Sequence, residues 1–170
     1  LIYFYFLLQT DLQLWIIMVR FRNRYLVMEI FLDPNKDLAK DDPIILTANN
    51  VSKAIKDSIR QNFGECGLAS LIGSFQVTYV NNITKLCIIR VAREGLEKLW
   101  SSTTMVRSIG QCQVMFNLLD LSGSIRACKV AALKCDEAKS EQYKQLMGDN
   151  ITPEITETMQ NCLEKIKILS

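Results

Sequence analysis

A run of arginines within Met18–Leu26 contains the residues best suited to bind a polyanion. Arg20, Arg22 and Arg24 occupy alternate positions, and Asn23 and aromatic residues stand between them. Alternate residues of an extended strand share one face, so the three guanidinium groups would project together. Guanidinium groups match the geometry of phosphates, and aromatic rings stack on bases. The run predicts either the beginning of a nucleic-acid-binding surface or the solvated end of a strand whose aromatic residues belong to the core.

A second cationic segment begins at the pair Gly123-Ser124. These residues precede a predicted helix whose first two turns carry Arg126 and Lys129. The helix dipole disfavours cations near a helix N-terminus by about 0.3–1 kcal/mol. A docked anion would reverse that effect, because free backbone N–H groups point outward there. We predict that this helix start binds a phosphate; the alternative is that Ser122 or Ser124 only caps the helix.

Other charged groups give weaker signals. Arg90 and Arg93 lie near the end of a predicted strand and could assist the first arginines. A basic helix face is interrupted by an acid and is typical of a solvated surface; it consists of Lys53, Lys56 and Arg60, with Asp57 between them. An acidic loop could be imagined as a metal site, but two-metal chemistry needs rigidly held carboxylates. That loop carries Asp33, Asp37, Asp41 and Asp42 among prolines and lysines, which make a poor frame.

Composition excludes several classes of enzyme. The chain of 170 residues contains no histidine, which excludes the usual serine–histidine and cysteine–histidine hydrolases. Its six cysteines lack the short spacing of zinc knuckles or redox motifs, and a reducing, intracellular compartment is expected. Phosphate-binding glycine motifs are also missing. Because the net charge is only +2, any surface for a polyanion must be local.

Three parts of the chain differ in character. Residues 1–17 are mostly apolar, and we interpret them as a translated upstream or non-native segment, with a short membrane anchor as the alternative. Residues 18–148 have the length of one domain with a real core. Residues 149–170 are predicted to form a C-terminal amphipathic helix, since Pro153 and Glu154 are typical of a helix start.

Apolar periodicity predicts the order strand, helix, strand, strand, helix, strand. The strands are expected at 22–32, 75–79, 85–91 and 111–118, and the helices between them at 47–64 and 94–105, the first with Thr47 as its N-cap. The apolar stripes expected to be buried are Val51, Ile55, Ile59 and Phe63 in the first helix, Leu96, Leu99, Trp100 and Thr103 in the second, and Ile155, Met159, Leu163 and Ile166 in the C-terminal helix. This order is that of the split βαβ unit. We therefore predict an α+β, ferredoxin-like fold with a four-stranded antiparallel sheet and two additional C-terminal helices. The first strand is apolar on both faces, so the additional helices or a partner subunit should cover its second face.

Two end segments resemble those of a known family, the processing-of-precursor subunit five family of ribonuclease P and RNase MRP small subunits. The first is Met18–Leu26, and the second is Gly123–Cys128, close to the family's Gly-Thr-Ile-Arg-x-Cys. The segments Ile89–Glu94, Leu99–Trp100 and Phe116–Asn117 add weaker similarity. The resemblance covers roughly residues 18–133.

The resemblance implies a ferredoxin-like sheet and a non-catalytic subunit that supports a catalytic RNA. In that role the chain contributes to removing the 5′ leader of precursor tRNA and, in RNase MRP, to processing precursor rRNA. The implied partners are the ribonuclease P/MRP RNA, precursor tRNA, a TIM-barrel protein subunit and a small subunit of the same fold, without a membrane. No cofactor is expected on the protein, Mg²⁺ is expected at the RNA, and the implied location is the nucleus and nucleolus.

The resemblance also implies a set of RNA-binding residues and no catalytic or metal-binding ones. The set comprises Arg20, Arg22, Asn23, Arg24, Arg90, Arg93, Gly123, Ser124, Arg126 and Lys129. Two other functions stay open on the residues alone. One is a ferredoxin-like assembly or regulatory domain without an RNA role, and the other is a nuclease that uses the acidic loop.

Overall fold

The computed structural model describes residues 22–32, 46–147 and 153–169. Predictions for Arg20, for residues 1–17 and for the acidic loop from Asp33 to Asp42 lie outside these ranges. The regular elements, in chain order, are β1 (Asn23–Leu32), α1 (Ala48–Ile72), β2 (Gln76–Val80), β3 (Leu86–Ala92), a 3-10 turn (Arg93–Gly95), α2 (Leu96–Thr104), β4 (Ser108–Ile109), β5 (Cys112–Ser122), α3 (Ile125–Met147) and α4 (Pro153–Ile168).

The strands form one antiparallel sheet in the order β2-β3-β1-β5-β4. The predicted α+β class, with an antiparallel sheet and helices, is confirmed. The predicted number of four strands is wrong, because the sheet has five, and the ferredoxin-like assignment is therefore not confirmed. The additional strand is β4, whose two residues pair with the beginning of β5 around Gly110 at a φ of 61°. Two residues are too few to show an alternating pattern in a sequence.

Both faces of the sheet are covered, as the apolar first strand predicted. Leu26, Met28 and Ile30 of β1 pack on one face against a core cluster that includes residues of α1 and α2. Tyr25 and Val27 pack on the other face in a cluster with residues of α3 and α4. Burying each large apolar side chain contributes about 1.5–3 kcal/mol. The C-terminal helices therefore complete the core of the domain.

Helix α1 begins where the sequence predicts and ends later. The Thr47 hydroxyl accepts a hydrogen bond from the Asn50 N–H at 3.2 Å, which confirms it as the N-cap. The predicted end at Gly64 is wrong. Gly64 has a φ of 68° and kinks the helix, which continues to Ile72. Glycine adopts a positive φ without a steric penalty, so a glycine in the sequence can mark either a kink within a helix or the end of a helix. Phe63, predicted to be buried, is 39% exposed beside the kink.

Helix α2, which packs on the same face of the sheet as α1, also differs in detail from its apolar pattern. Leu99 and Thr103 of α2 are buried as predicted, but Trp100 is 42% exposed. On the other face of the sheet, Met159 and Ile166 of α4 are buried, in agreement with the predicted stripe. No helix within the described ranges has the length and apolar character needed to cross a lipid bilayer.

Candidate nucleic-acid interface

Three chain segments meet at one end of the sheet. Tyr25, near the beginning of β1, pairs with Arg90 near the end of β3 and with Ser122 at the end of β5. The Arg93 backbone N–H donates a hydrogen bond to the Arg22 carbonyl at 2.7 Å, which continues the β1–β3 ladder beyond the strands. The beginning of β1, the end of β3 and the turn into α3 therefore lie side by side.

We call this region the basic end of the sheet. It contains every predicted RNA-binding residue within the described ranges: Arg22, Asn23, Arg24, Arg90, Arg93, Gly123, Ser124, Arg126 and Lys129. The sequence places these residues in three segments about 30 to 70 positions apart, and the antiparallel register places them at one end. Their contact with RNA stays a prediction.

The side chain of Arg24 joins β1 to the turn before α3. Its Nη1 lies 3.5 Å from the position that a Cβ on Gly123 would occupy, and its Cζ lies 3.9 Å from that position. Its Nη1 also donates to the carbonyl of Asn23 at 3.1 Å. The guanidinium group is therefore held over the β5–α3 turn. The two cationic segments recognised separately in the sequence thus form one surface.

Helix α3 begins with a regular cap. The Ser124 Oγ accepts from the Ala127 N–H at 3.2 Å, and the Ser124 carbonyl accepts from the Cys128 N–H at 3.1 Å. The capping role considered for Ser124 is therefore confirmed. Arg126, in the first turn, is exposed, so its guanidinium group is accessible to a ligand beside the helix start.

Lys129 makes a contact that the sequence did not predict. Its Nζ donates to the backbone carbonyl of Lys167 at 2.9 Å, and Lys167 lies in the last turn of α4. This contact satisfies one of the carbonyls that every helix leaves without an intrahelical partner at its end. Lys129 therefore connects two helices in addition to any role toward a ligand.

The arginines of the basic end have no carboxylate partners among the described residues. None of Arg22, Arg24, Arg90, Arg93 and Arg126 forms an ion pair with a carboxylate in the part of the chain that the structure describes. The buried Nε of Arg90 also lacks a hydrogen-bond acceptor among those residues. The positive charge at this end is therefore uncompensated by the described protein groups, which favours an anionic ligand.

On the basic face of α1, Arg60 has carboxylate partners, whereas Lys53 and Lys56 form no ion pair with a described carboxylate. Arg60 forms ion pairs with Asp57 at 3.1 Å and with Glu65 at 2.6 Å, and all three side chains are exposed. Exposed pairs of this kind contribute only about 0–1 kcal/mol. Their presence supports the interpretation of Lys53, Lys56 and Arg60 as a solvated face.

Tyr25 belongs to the core and does not form a stacking platform. It is 8% exposed and packs in the same cluster as Val27 and Ile88. The core position considered for the aromatic residues of this strand is thus confirmed for Tyr25. The predicted RNA contacts of the basic end therefore come from its arginines, and contacts between arginines and phosphates position RNA without reading its sequence.

Two buried cysteines are poorly suited to act as nucleophiles. Burial raises the pKa of the Cys87 and Cys128 thiols to about 12, which keeps both thiols protonated near neutral pH. No group of three or more cysteine, aspartate or glutamate side chains that could hold a metal ion occurs within 22–32, 46–147 and 153–169.

Comparison with known proteins identifies similar chains. The model of the Rpp14/Pop5 family matches residues 24–133. The probable ribonuclease P/MRP protein subunit POP5 of Arabidopsis thaliana is 58% identical over 153 residues, covering 89% of this chain and 99% of that protein. The POP5 subunit of Schizosaccharomyces pombe is 28% identical over 127 residues, covering 72% and 91%. A chain in the cryo-EM structure of yeast ribonuclease MRP has a TM-score of 0.48 and 18% identity, covering 74% and 95%.

Proposed function

The chain belongs to the Rpp14/Pop5 family, and we propose that it is a non-catalytic, RNA-binding protein subunit of ribonuclease P and of RNase MRP. Its role is to stabilise the catalytic RNA, which removes the 5′ leader of precursor tRNA in one particle and processes precursor rRNA in the other. The family match from residue 24 to residue 133 includes seven of the nine described residues of the basic end, and Arg22 and Asn23 lie just before it.

The observation that carries this proposal is the uncompensated charge of the basic end. Five arginines from three segments meet there without an ion pair to a described carboxylate. Packing like charges together disfavours the folded chain by itself, but a polyanion that binds there removes this repulsion. Each phosphate that a cation neutralises releases a condensed counterion, which is the main source of affinity for RNA that is bound without sequence specificity.

The proposed RNA contacts come from three places on the surface: the beginning of β1, the end of β3 and the start of α3. Arg22 and Arg24 neutralise phosphates beside β1, and Arg20 and Asn23 belong to the same part of the chain. Arg90 and Arg93 assist from the end of β3. The start of α3, with Gly123, Ser124 and Arg126, holds a further phosphate through backbone N–H groups and the guanidinium group; Lys129 supports it from the second turn. Mg²⁺ acts at the RNA, so the protein supplies positioning and charge.

The proposal includes the surroundings in which such a subunit acts. The partners are the ribonuclease P/MRP RNA, precursor tRNA, a TIM-barrel protein subunit and a small subunit of the same fold. The location is the nucleus and nucleolus. The names of the relatives, as ribonuclease P/MRP subunits, support membership of a ribonucleoprotein particle.

A purification from cells tests the proposal directly. The tagged full chain is isolated under mild salt, and cleavage of a precursor tRNA is measured before and after nuclease digestion of the bound RNA. Leader removal that is lost with the RNA supports a ribonuclease P subunit, and RNA recovered without leader removal favours RNase MRP alone. Activity that survives digestion would show a protein catalyst. Material without RNA or activity would favour the assembly-domain function, and either of these two results overturns the proposal.

A further inference from the structure

We propose that the last turn of α4 extends the basic end and that Lys165 and Lys167 contact the phosphate backbone of the same RNA. The inference rests on the proposed function and adds a second layer to its binding surface. The family match ends at residue 133, so α4 lies beyond the part of the chain that the match covers. The reasons come from where α4 ends and from how its charges are distributed.

The end of α4 lies beside the beginning of α3. The Lys129 Nζ donates to the Lys167 carbonyl at 2.9 Å, which joins the second turn of α3 to the last turn of α4. Ile125, at the start of α3, and Leu169, just after α4, pack against the same core cluster. The two helices are therefore antiparallel, and the last turn of α4 is next to the helix start assigned to a phosphate.

Packing holds α4 in this position. Met159, Cys162 and Ile166 are buried, and Cys162 and Ile166 belong to the cluster that includes Tyr25 of β1. The Tyr79 hydroxyl of β2 donates to the Cys162 carbonyl at 3.4 Å. Because α4 is a packed part of the domain, its lysines have a defined place relative to the arginines.

The charges of α4 are unevenly distributed along its length. Glu154 and Glu157 lie in its first two turns, away from the basic end, whereas Lys165 and Lys167 lie in its last turn, beside it, with one acid, Glu164, next to them. Both lysines are exposed and stand on either side of the buried Ile166. This arrangement increases the positive charge where described arginines already lack ion pairs.

The two lysines are available to a ligand. Lys165 forms no ion pair with a carboxylate that the structure describes, and Lys167 pairs with Glu164 at 2.8 Å. The Lys167 and Glu164 side chains are each more than half exposed, and an exposed ion pair of this kind exchanges easily for a phosphate. The helix dipole also favours cations at a helix C-terminus, which is the competing explanation for both lysines. That explanation predicts no effect on RNA affinity.

Salt-dependent binding separates the two explanations. The full chain and its Lys165→Ala/Lys167→Ala variant are titrated with the RNA recovered from the purified particle, over a range of salt concentrations. Each lost phosphate contact lowers the slope of log affinity against log salt by roughly 0.7–0.9, so two contacts account for a loss of roughly thirtyfold in affinity at about 0.1 M salt. The variant Lys165→Arg/Lys167→Arg keeps both charges and should keep the slope.

The matched control is Lys53→Ala/Lys98→Ala, which removes the same charge from exposed positions in α1 and α2 on the opposite face of the sheet. A salt slope that falls no further in the α4 variant than in this control, while Arg22→Ala/Arg24→Ala weakens binding, overturns the inference and leaves the proposed function standing. If neither the α4 lysines nor Arg22 and Arg24 alter RNA binding, the basic end is not the RNA-binding surface, and the proposed function loses the observation that carries it.

A structural effect of the α4 substitutions is distinguished by a second variant. Ile166→Val removes one buried methyl group and loosens the docking of α4 without changing charge. We expect it to lower the thermal midpoint of unfolding and to leave the salt slope unchanged. The inference is overturned if Ile166→Val reduces the slope as much as the loss of both lysines does.

Discussion

The two ends of the sheet use polar residues in opposite ways. At the basic end, described arginines are exposed or half-buried and form no ion pair with described carboxylates. At the opposite end, beside the turn that joins β2 to β3, Asp136 of α3 is fully buried. Its Oδ1 accepts from the Asn81 Nδ2 at 3.0 Å and from the Thr84 hydroxyl at 2.5 Å. We call these three residues the Asp136 cluster.

The difference shows how burial decides the role of a charged side chain. A buried carboxylate loses its hydration and needs hydrogen bonds in return, so Asp136 fastens α3 to the β2–β3 turn. Burial raises the pKa of Asp136, although the hydrogen bonds from Thr84 and Asn81 act in the opposite direction. An exposed arginine keeps its hydration and stays available to a ligand. One end of the sheet therefore stabilises the fold, and the other end leaves its charges available to the proposed RNA ligand.

The largest expected effect is on RNA binding at the basic end. Arg22→Ala/Arg24→Ala removes two phosphate contacts, and charged hydrogen bonds contribute about 1.5 kcal/mol or more each, so affinity should fall about a hundredfold. The slope of log affinity against log salt should decrease by roughly one unit for each contact. Titration of the full chain with RNA at several salt concentrations measures both quantities. An unchanged salt slope would exclude these two residues from the binding surface.

The next effect concerns stability at the opposite end. Asp136→Ala leaves the donors of Asn81 and Thr84 buried without their acceptor, and we expect the free energy of unfolding to fall by about 2 kcal/mol. Denaturant unfolding measures this loss. The control is Glu137→Ala, an exposed neighbour on the same helix, which should change stability little. RNA affinity of the folded Asp136→Ala protein should match that of the wild type; a large loss would mean that the two ends are coupled.

A smaller effect is expected at Ser124, which caps α3, the helix that runs from the basic end to Asp136. Ser124→Ala removes the acceptor of the Ala127 N–H at the start of this helix and should lower the free energy of unfolding by about 1 kcal/mol. Ser124→Asp keeps a capping oxygen and should restore stability. Because it also places a negative charge at the proposed phosphate site, the aspartate variant should bind RNA more weakly than wild type. RNA binding by Ser124→Asp that equals that of the wild type would contradict a phosphate at this helix start.

The smallest expected effect is a pH dependence of stability. The pKa of Asp136 in the folded chain lies above its ordinary value of 3.8, so the folded state holds this proton more tightly than the unfolded state. The resulting stabilisation is present below the unfolded pKa and is lost as the pH rises through the folded pKa. Asp136→Asn removes this contribution. The free energies of unfolding of the wild type and of this variant, plotted against pH, should therefore have different slopes. Parallel plots would show that Asp136 does not titrate in this way.

Much of the fold was predictable because local patterns determine it. The cap at Thr47, the alternating residues of β2, the apolar run of β3 and the proline start of α4 all carry their signal within a few residues. The short strand β4 and the kink at Gly64 were missed, because a two-residue strand shows no period and a glycine marks kinks and helix ends alike. The prediction that Trp100 is buried is wrong, because an apolar residue at the edge of a helix stripe can face either the core or the solvent.

The sequence by itself determined which residues carry the positive charge, which strand is apolar on both faces and which family the two end motifs resemble. Only the tertiary structure decided that β1, β3 and the turn before α3 end together, that Lys129 reaches the last turn of α4 and that Asp136 is buried with Asn81 and Thr84. The physical reason is distance along the chain. Spacing within one element follows from its local geometry, whereas contacts between distant segments depend on sheet register and on the packing of helices across it.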